Sequence, residues 1–402
     1  MKFCISFGRL QLKYFFYCFL IVIIEYAYNF ISQSGVKILN NHLLFNSFCF
    51  FLGYLLNFIP AWISHIKSKE KKNPITNKLK EENTQSIEYI YNKPYENNIS
   101  TKDILKFGFI CFIQLLANFI EIILIKININ KGDDNKEINY NDNFSIIEYL
   151  IIFIVSKFDK EVYYKHQNCS FLILILVEAI KNIYFLTKTS YHDTTNIIII
   201  ILKIIYSISY ALYYIYIKDF MKYKFISPAK CNFIIGIIDV PLIIIIYFII
   251  SFTSLGIIGS KYYFGNILEL FRNFGNINAK DLIFLISLPF VFGIFEFIIN
   301  KVIYDYTIYH IYIPILIEYL TESFIRNLGF FVNIFLISSF ILELVMILVF
   351  LEIIEINFCE LNKNLKRNIE SRGIIDSSLS IGINADDNDS ERNEKIMKAK
   401  EK

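Results

Sequence analysis

The side chains that could do chemistry here are polar residues set singly into long apolar runs, at intervals of three or four. Gln114, Asn118 and Glu121 fall at i, i+4 and i+7, so a helix would carry all three on one face. Four similar rows occur: Glu25, Asn29 and Ser32–Gln33; Lys203, Ser207, Tyr210 and Tyr214; Pro289, Gly293, Glu296 and Asn300; and His310, Pro314, Glu318 and Glu322. A carboxylate or amide placed among Ile and Phe must face a partner, water or a ligand, because an apolar environment offers it nothing. Five such stripes predict a shared polar interior able to hold a small solute. The expected ligand set is Glu25, Asn29, Gln114, Asn118, Glu121, Lys203, Tyr210, Glu296, Asn300, His310, Glu318 and Glu322. Acids outnumber bases in it, which suits a cation, a zwitterion or proton coupling better than a phosphorylated solute; the latter calls for Arg or Lys.

The runs that carry these stripes are about 20 residues long, the length needed to cross a bilayer. Of 402 residues, 55% are hydrophobic and 19% charged, which excludes a soluble enzyme, a disordered chain and a disulfide scaffold. The seven Cys form no CxxC pair and the five His no ligand spacing, so neither metal nor cofactor is expected. His192-Asp193 is the only His-Asp pair and has no companion motif, so no enzymatic activity is expected. Net charge is only +3, which gives no reason to expect a nucleic-acid partner; the expected partners are a small-molecule substrate and the lipid bilayer, with a homodimer left open.

Hydropathy predicts an all-α integral membrane protein with ten spans, at roughly 13–32, 42–64, 104–127, 144–158, 168–187, 196–217, 231–254, 281–300, 305–325 and 331–357. The fourth is short and the ninth is expected to be interrupted at Pro314. The basic start of the chain lacks a cleavage site before Glu25-Tyr26-Ala27-Tyr28, so the first run is read as a retained span. Alternate connections then carry 28 Lys and Arg on one side and 9 on the other, which puts both termini in the cytoplasm. Residues 1–12 and the tail 358–402 are cytoplasmic ends, and loop 65–103, with Lys67-Ser68-Lys69-Glu70-Lys71-Lys72, is a polar cytoplasmic insert. Glu178 and Lys181 at i, i+3 are read as a local structural pair, and Glu343, Glu352 and Glu355 as approaching the cytoplasmic end of the last span.

Ten spans divide into halves of five, 13–187 and 196–357, joined by a linker at 188–195. An odd number per half makes the two halves inverted with respect to each other. The long loops after spans 2 and 7, and the irregular spans 4 and 9, correspond in this scheme, and such matched irregularities point to a transport site.

Several short segments fit a known family. Lys160-Glu161-Val162-Tyr163-Tyr164-Lys165-His166-Gln167 leads into span 5, Ser227-Pro228 turns between spans 6 and 7, and Asn300-Lys301 precedes Thr307 at the junction of spans 8 and 9. With ten spans and an inverted repeat, these resemble the drug/metabolite transporter superfamily, in particular its nucleotide-sugar-transporter (solute carrier 35) branch. The resemblance implies a secondary-active carrier of a small organic metabolite working by alternating access, by exchange or with protons. The run Phe297-Ile298-Ile299-Asn300-Lys301 departs from the branch's Gly-Ala-Leu-Asn-Lys, so a nucleotide-sugar carrier of the Golgi or endoplasmic reticulum is the alternative. A non-transporting multi-pass scaffold is the other. Lys398 and Lys400 resemble a dilysine retrieval signal and favour an endomembrane, with the plasma membrane as the second location.

Overall fold

The structure is a computed structural model, and it describes residues 4–7, 12–33, 43–63, 101–130, 145–158, 165–188, 194–224, 226–253, 265–274, 279–325 and 330–357. Loop 65–100, linker 189–193 and tail 358–402 lie outside the described residues. Among those described, ten helices of 14 residues or more follow in order. They are α1 (Leu12–Gln33), α2 (Leu43–Leu56, resuming after Asn57 as far as Ile63), α3 (Thr101–Asn130), α4 (Ser145–Phe158) and α5 (Lys165–Lys188). Then come α6 (Thr194–Lys224), α7 (Pro228–Ser251), α8 (Ala279–Asp305), α9 (Tyr312–Ile325) and α10 (Phe330–Phe350), with a short helix, Ile267–Phe274, between α7 and α8. Six of the ten are long and apolar enough to cross a membrane: α2, α3, α6, α7, α8 and α10.

The outer surface agrees with a lipid setting. Phe16, Leu105, Leu176, Ile249 and Ile283 each keep more than half of their surface exposed, on helices whose other faces form the core. In water such a belt would drive aggregation; against acyl chains it costs nothing.

Helix ends follow local chemistry. Ser227 caps α7 by accepting a hydrogen bond from the Lys230 amide at 3.3 Å, and Pro228 takes the first helical position, where no N–H is needed. Ser227→Ala is expected to lower stability by about 1 kcal/mol, read as an earlier thermal unfolding transition in detergent.

The expected break at Pro314 is corrected. A 3-10 turn, Ile308–Ile311, precedes α9, and Pro314 lies in the first turn of that helix, where its missing N–H leaves no bond unmade. The end of the last span is also corrected. α10 stops at Phe350 because Glu352 adopts φ 59°, with its amide donating to the Val349 carbonyl at 3.0 Å and the Ile353 amide to that of Leu348 at 2.9 Å. This left-handed stop usually takes Gly. Here the carboxylate is held by His166 at 3.0 Å from the start of α5, and the neighbouring Gln167 amide caps the Phe350 carbonyl at 3.2 Å.

Glu355 therefore lies in a strand. β2 (Ile354–Asn357) pairs antiparallel with β1 (Cys4–Phe7), Cys4 opposite Asn357 and Phe7 opposite Ile354. The ribbon places the segment before α1 beside the segment after α10. Lys13 at the start of α1 reaches Asp305 at the end of α8 at 2.6 Å, on the same side.

Helix pairing defines the interior. α2 packs on α7 and α8, α3 on α6 and α7, α1 on α8 and α9, α4 on α5 and α6, α9 on α10, and α5 on α10. Pairs α2/α3, α7/α8 and α6/α8 complete the set of close packings among these ten helices. The α2–α8 crossing is tight. Gly53 and Gly293 face each other there, and the buried Asn57 amide donates to both of their carbonyls, at 3.2 and 3.1 Å.

Candidate polar site between the helices

The centre of the bundle is organised around one hydroxyl. Tyr54 of α2 is fully buried and accepts a hydrogen bond from the Gln114 side-chain amide of α3. It also lies 3.2 Å from the Tyr213 hydroxyl of α6 and bonds to the Glu296 carboxyl of α8. Tyr213 in turn meets Asn300 of α8, whose side-chain amide donates to Asn232 Oδ1 of α7 at 2.6 Å. All six side chains are buried, so each polar atom needs a partner from another helix. Five helices thus contribute to one network.

A second polar zone lies further along α3. Gln114 to Glu121 is seven residues, about 10 Å of helix rise. Glu121 is half-buried and within electrostatic reach of Tyr28 on α1 and of Tyr206 and Tyr210 on α6. The Tyr210 ring sits 4.7 Å from that of Tyr206 and 5.7 Å from that of Tyr214, and it is within reach of Glu296 as well as Glu121. The zone between the two carboxyls is therefore walled by tyrosine. Two buried amide oxygens on the same α3 face, Gln114 Oε1 and Asn118 Oδ1, have no hydrogen-bond partner among the described residues. Electron-rich rings, carboxylates and spare carbonyl oxygens all favour positive charge and N–H donors.

Of the expected ligand set, Gln114, Glu296 and Asn300 meet in the network, and Asn118, Glu121 and Tyr210 line the adjoining zone. Glu25 approaches it through Tyr28, which lies within reach of both Glu25 and Glu121. Lys203 is half-buried on α6, one turn from Tyr206, and Glu318 is buried on α9. His310 is not brought there. Its Nδ1 lies 2.8 Å from the Thr307 hydroxyl, and its ring packs on Tyr14 and Tyr306 at the α8–α9 junction, so it shapes that turn. The side chains of Asn29 and Glu322 lie outside the described residues.

Sequence reasoning missed several members. Tyr54, Tyr213 and Asn232 are of types too common in this chain to stand out. Glu148 accepts from the Tyr312 hydroxyl of α9 at 3.1 Å and contacts Ser207 of α6, joining three helices. Asp239 is fully buried in the middle of α7. Both acids were legible as lone charges in apolar runs, but neither has another charged residue or amide one turn away, so neither stands out as part of a stripe.

A separate ionic cluster joins α5 to α10. Lys181 Nζ lies 2.7 Å from Glu178 Oε1 and 3.1 Å from Glu343 Oε1, and 4.8 Å from the Phe340 ring centroid. Glu343, like Glu178, is fully buried, and Lys181 joins the two across the α5–α10 contact. Compared with known proteins, the chain matches no family model and no curated protein sequence.

Proposed function

We propose that this chain is a secondary-active carrier that moves a small organic cation or zwitterion across an internal membrane by alternating access. In this reading all ten helices belong to the membrane domain, as two inverted halves of five. The helix pairings support the repeat. Exchanging each helix with the one five places on turns α1/α8 into α6/α3, α1/α9 into α6/α4, α2/α8 into α7/α3, α7/α8 into α2/α3 and α9/α10 into α4/α5, all of them present. Pairs α2/α7 and α5/α10 map onto themselves, and only α6/α8 lacks its counterpart among the close packings. Glu178 and Glu343 come one from each helix of such a self-paired contact. α4 and α9 are both 14 residues, the short members of their halves once the segment of α2 that resumes after Asn57 is counted. The pairing of β1 with β2 supports an even number of crossings, and the basic bias supports a cytoplasmic side for that ribbon. The dilysine-like Lys398 and Lys400 favour the endoplasmic reticulum or Golgi.

One observation carries the choice of cargo. Glu121 and Glu296 flank a tyrosine-walled zone, and among the described residues neither is paired with a basic side chain. A solute bearing positive charge would supply the missing partner. The test works without the cargo itself. In a variant with its native cysteines replaced and Asn118→Cys added, a water-soluble cationic thiol reagent should react roughly tenfold faster than its anionic counterpart, equivalent to about 1.4 kcal/mol. Glu121→Gln with Glu296→Gln should erase that preference. Labelling by neither reagent, from either side of the membrane, would favour a scaffold with a closed interior.

A further inference from the structure

Asp239 belongs to none of the groups described above. It stands in the run Ile237-Ile238-Asp239-Val240-Pro241, near the middle of α7, and has no exposed surface. Neither of its carboxyl oxygens has a hydrogen-bond partner among the described residues. Its surroundings on α7 are apolar: Ile235, Val240 and Ile243 are all buried. The helices packed on α7 offer it no cation among the described residues. α3 presents Cys111, which is fully buried and within electrostatic reach; α2 and α8 also pack on α7, and neither supplies Asp239 with a hydrogen-bond donor among the described residues. The short helix Ile267–Phe274 abuts α7 and carries Arg272 on its exposed side.

A carboxylate so enclosed is unsustainable as an anion. Two ligands could remove its charge, a metal cation or a proton. A metal cation demands several oxygen ligands in a shell, and Asp239 has no hydrogen-bonding oxygen beside it among the described residues. A proton needs none. We propose that Asp239 is a proton-binding site, loaded with a proton in the conformation shown and unloaded when α7 opens to water in another. The exchange is simple acid dissociation: the carboxyl O–H bond breaks, the electron pair stays on the oxygen, and the proton passes to water.

Two features of α7 suit a site that opens. Pro241, two residues on, cannot donate to the Ile237 carbonyl, so the helix lacks one restraining bond beside Asp239. α7 also packs on α2 in a contact that would lie between the two halves, and Asn232, seven residues before Asp239, enters the central network. The coupling role rests on the carrier reading above; the presence of an exchangeable proton does not.

The test is infrared spectroscopy of the full chain in liposomes at neutral pH. The spectrum of the unmodified protein minus that of Asp239→Asn should show the carbonyl band of a protonated carboxyl, and that band should shift in heavy water. Asparagine has the shape of the neutral acid, so the variant should fold. If it does not, isotope labelling of aspartate carboxyls in the unmutated protein should move the same band. Absence of the band, or loss of carboxylate bands in its place, overturns the proposal. A band that heavy water leaves unmoved overturns it too, since the proton would then be sealed in. Failure of charge-selective labelling at position 118 would sink the carrier reading while leaving this result standing.

Discussion

Replacing Lys181 with methionine is expected to destabilise the fold by about 3–5 kcal/mol, the largest single effect in the molecule. The ammonium bonds to both Glu178 and Glu343, and both carboxyls are completely buried. Removing it leaves two acids facing each other at the α5–α10 contact without the charge that joined them. Methionine preserves the packing on Phe340, so the loss reports charge and not volume. Glu343→Gln should behave differently. It leaves one cation and one anion, a balanced pair, and should cost much less than the lysine change. Thermal unfolding of the three proteins in one detergent measures the order. If Glu343→Gln proves as damaging as Lys181→Met, the excess negative charge is being held by another group.

The second large effect concerns Gly293. A methyl group added there would lie 2.5 Å from the Gly53 carbonyl oxygen, and one added at Gly53 would lie 2.7 Å from the Gly293 amide nitrogen. Both obstacles are backbone, which cannot rotate away, so α2 and α8 must separate. Overpacking of this kind typically costs about 1–3 kcal/mol. Separation would also pull the Asn57 amide from the two carbonyls that it joins. Gly293→Ala and Gly53→Ala should therefore each lower the unfolding temperature clearly. Gly108 on α3 is the internal control, because an added Cβ meets nothing within 4 Å. There alanine should be neutral or add up to about 1 kcal/mol through its better helix propensity. Equal responses at all three positions would show that the close α2–α8 approach does not matter to stability.

Much of the architecture was legible because it depends on averages. Twenty apolar residues in a row mean the same thing whichever they are, so the six helices long and apolar enough to cross a membrane all fall on predicted spans. What depended on single positions was harder. Pro314 reads as a break in any periodic pattern, yet its meaning depends on whether a helix has already begun, and the 3-10 turn before Tyr312 decides that. Glu352 gave no sign of stopping α10, since the left-handed turn is held by His166 from a distant helix. In the polar interior, stripes found Gln114, Glu296 and Asn300, where one helix supplies several groups. They could not find Tyr54 or Glu148, where one helix supplies one group and three-dimensional packing supplies the rest, nor Asp239, which stands alone in an apolar run.

The two-stranded ribbon has a mechanical consequence. Cys4 and Asn357 sit at the same end of the pairing, so a load applied to the two chain ends opens the ribbon like a zip, one residue pair after another. Four residues per strand resist little in that geometry. Beyond the last pair, Phe7 with Ile354, tension reaches the Lys13–Asp305 and His166–Glu352 bridges, and only then the helices. The ribbon is thus a weak mechanical fuse in series with the bundle, one that yields to tension between the ends before any helix is drawn out of it.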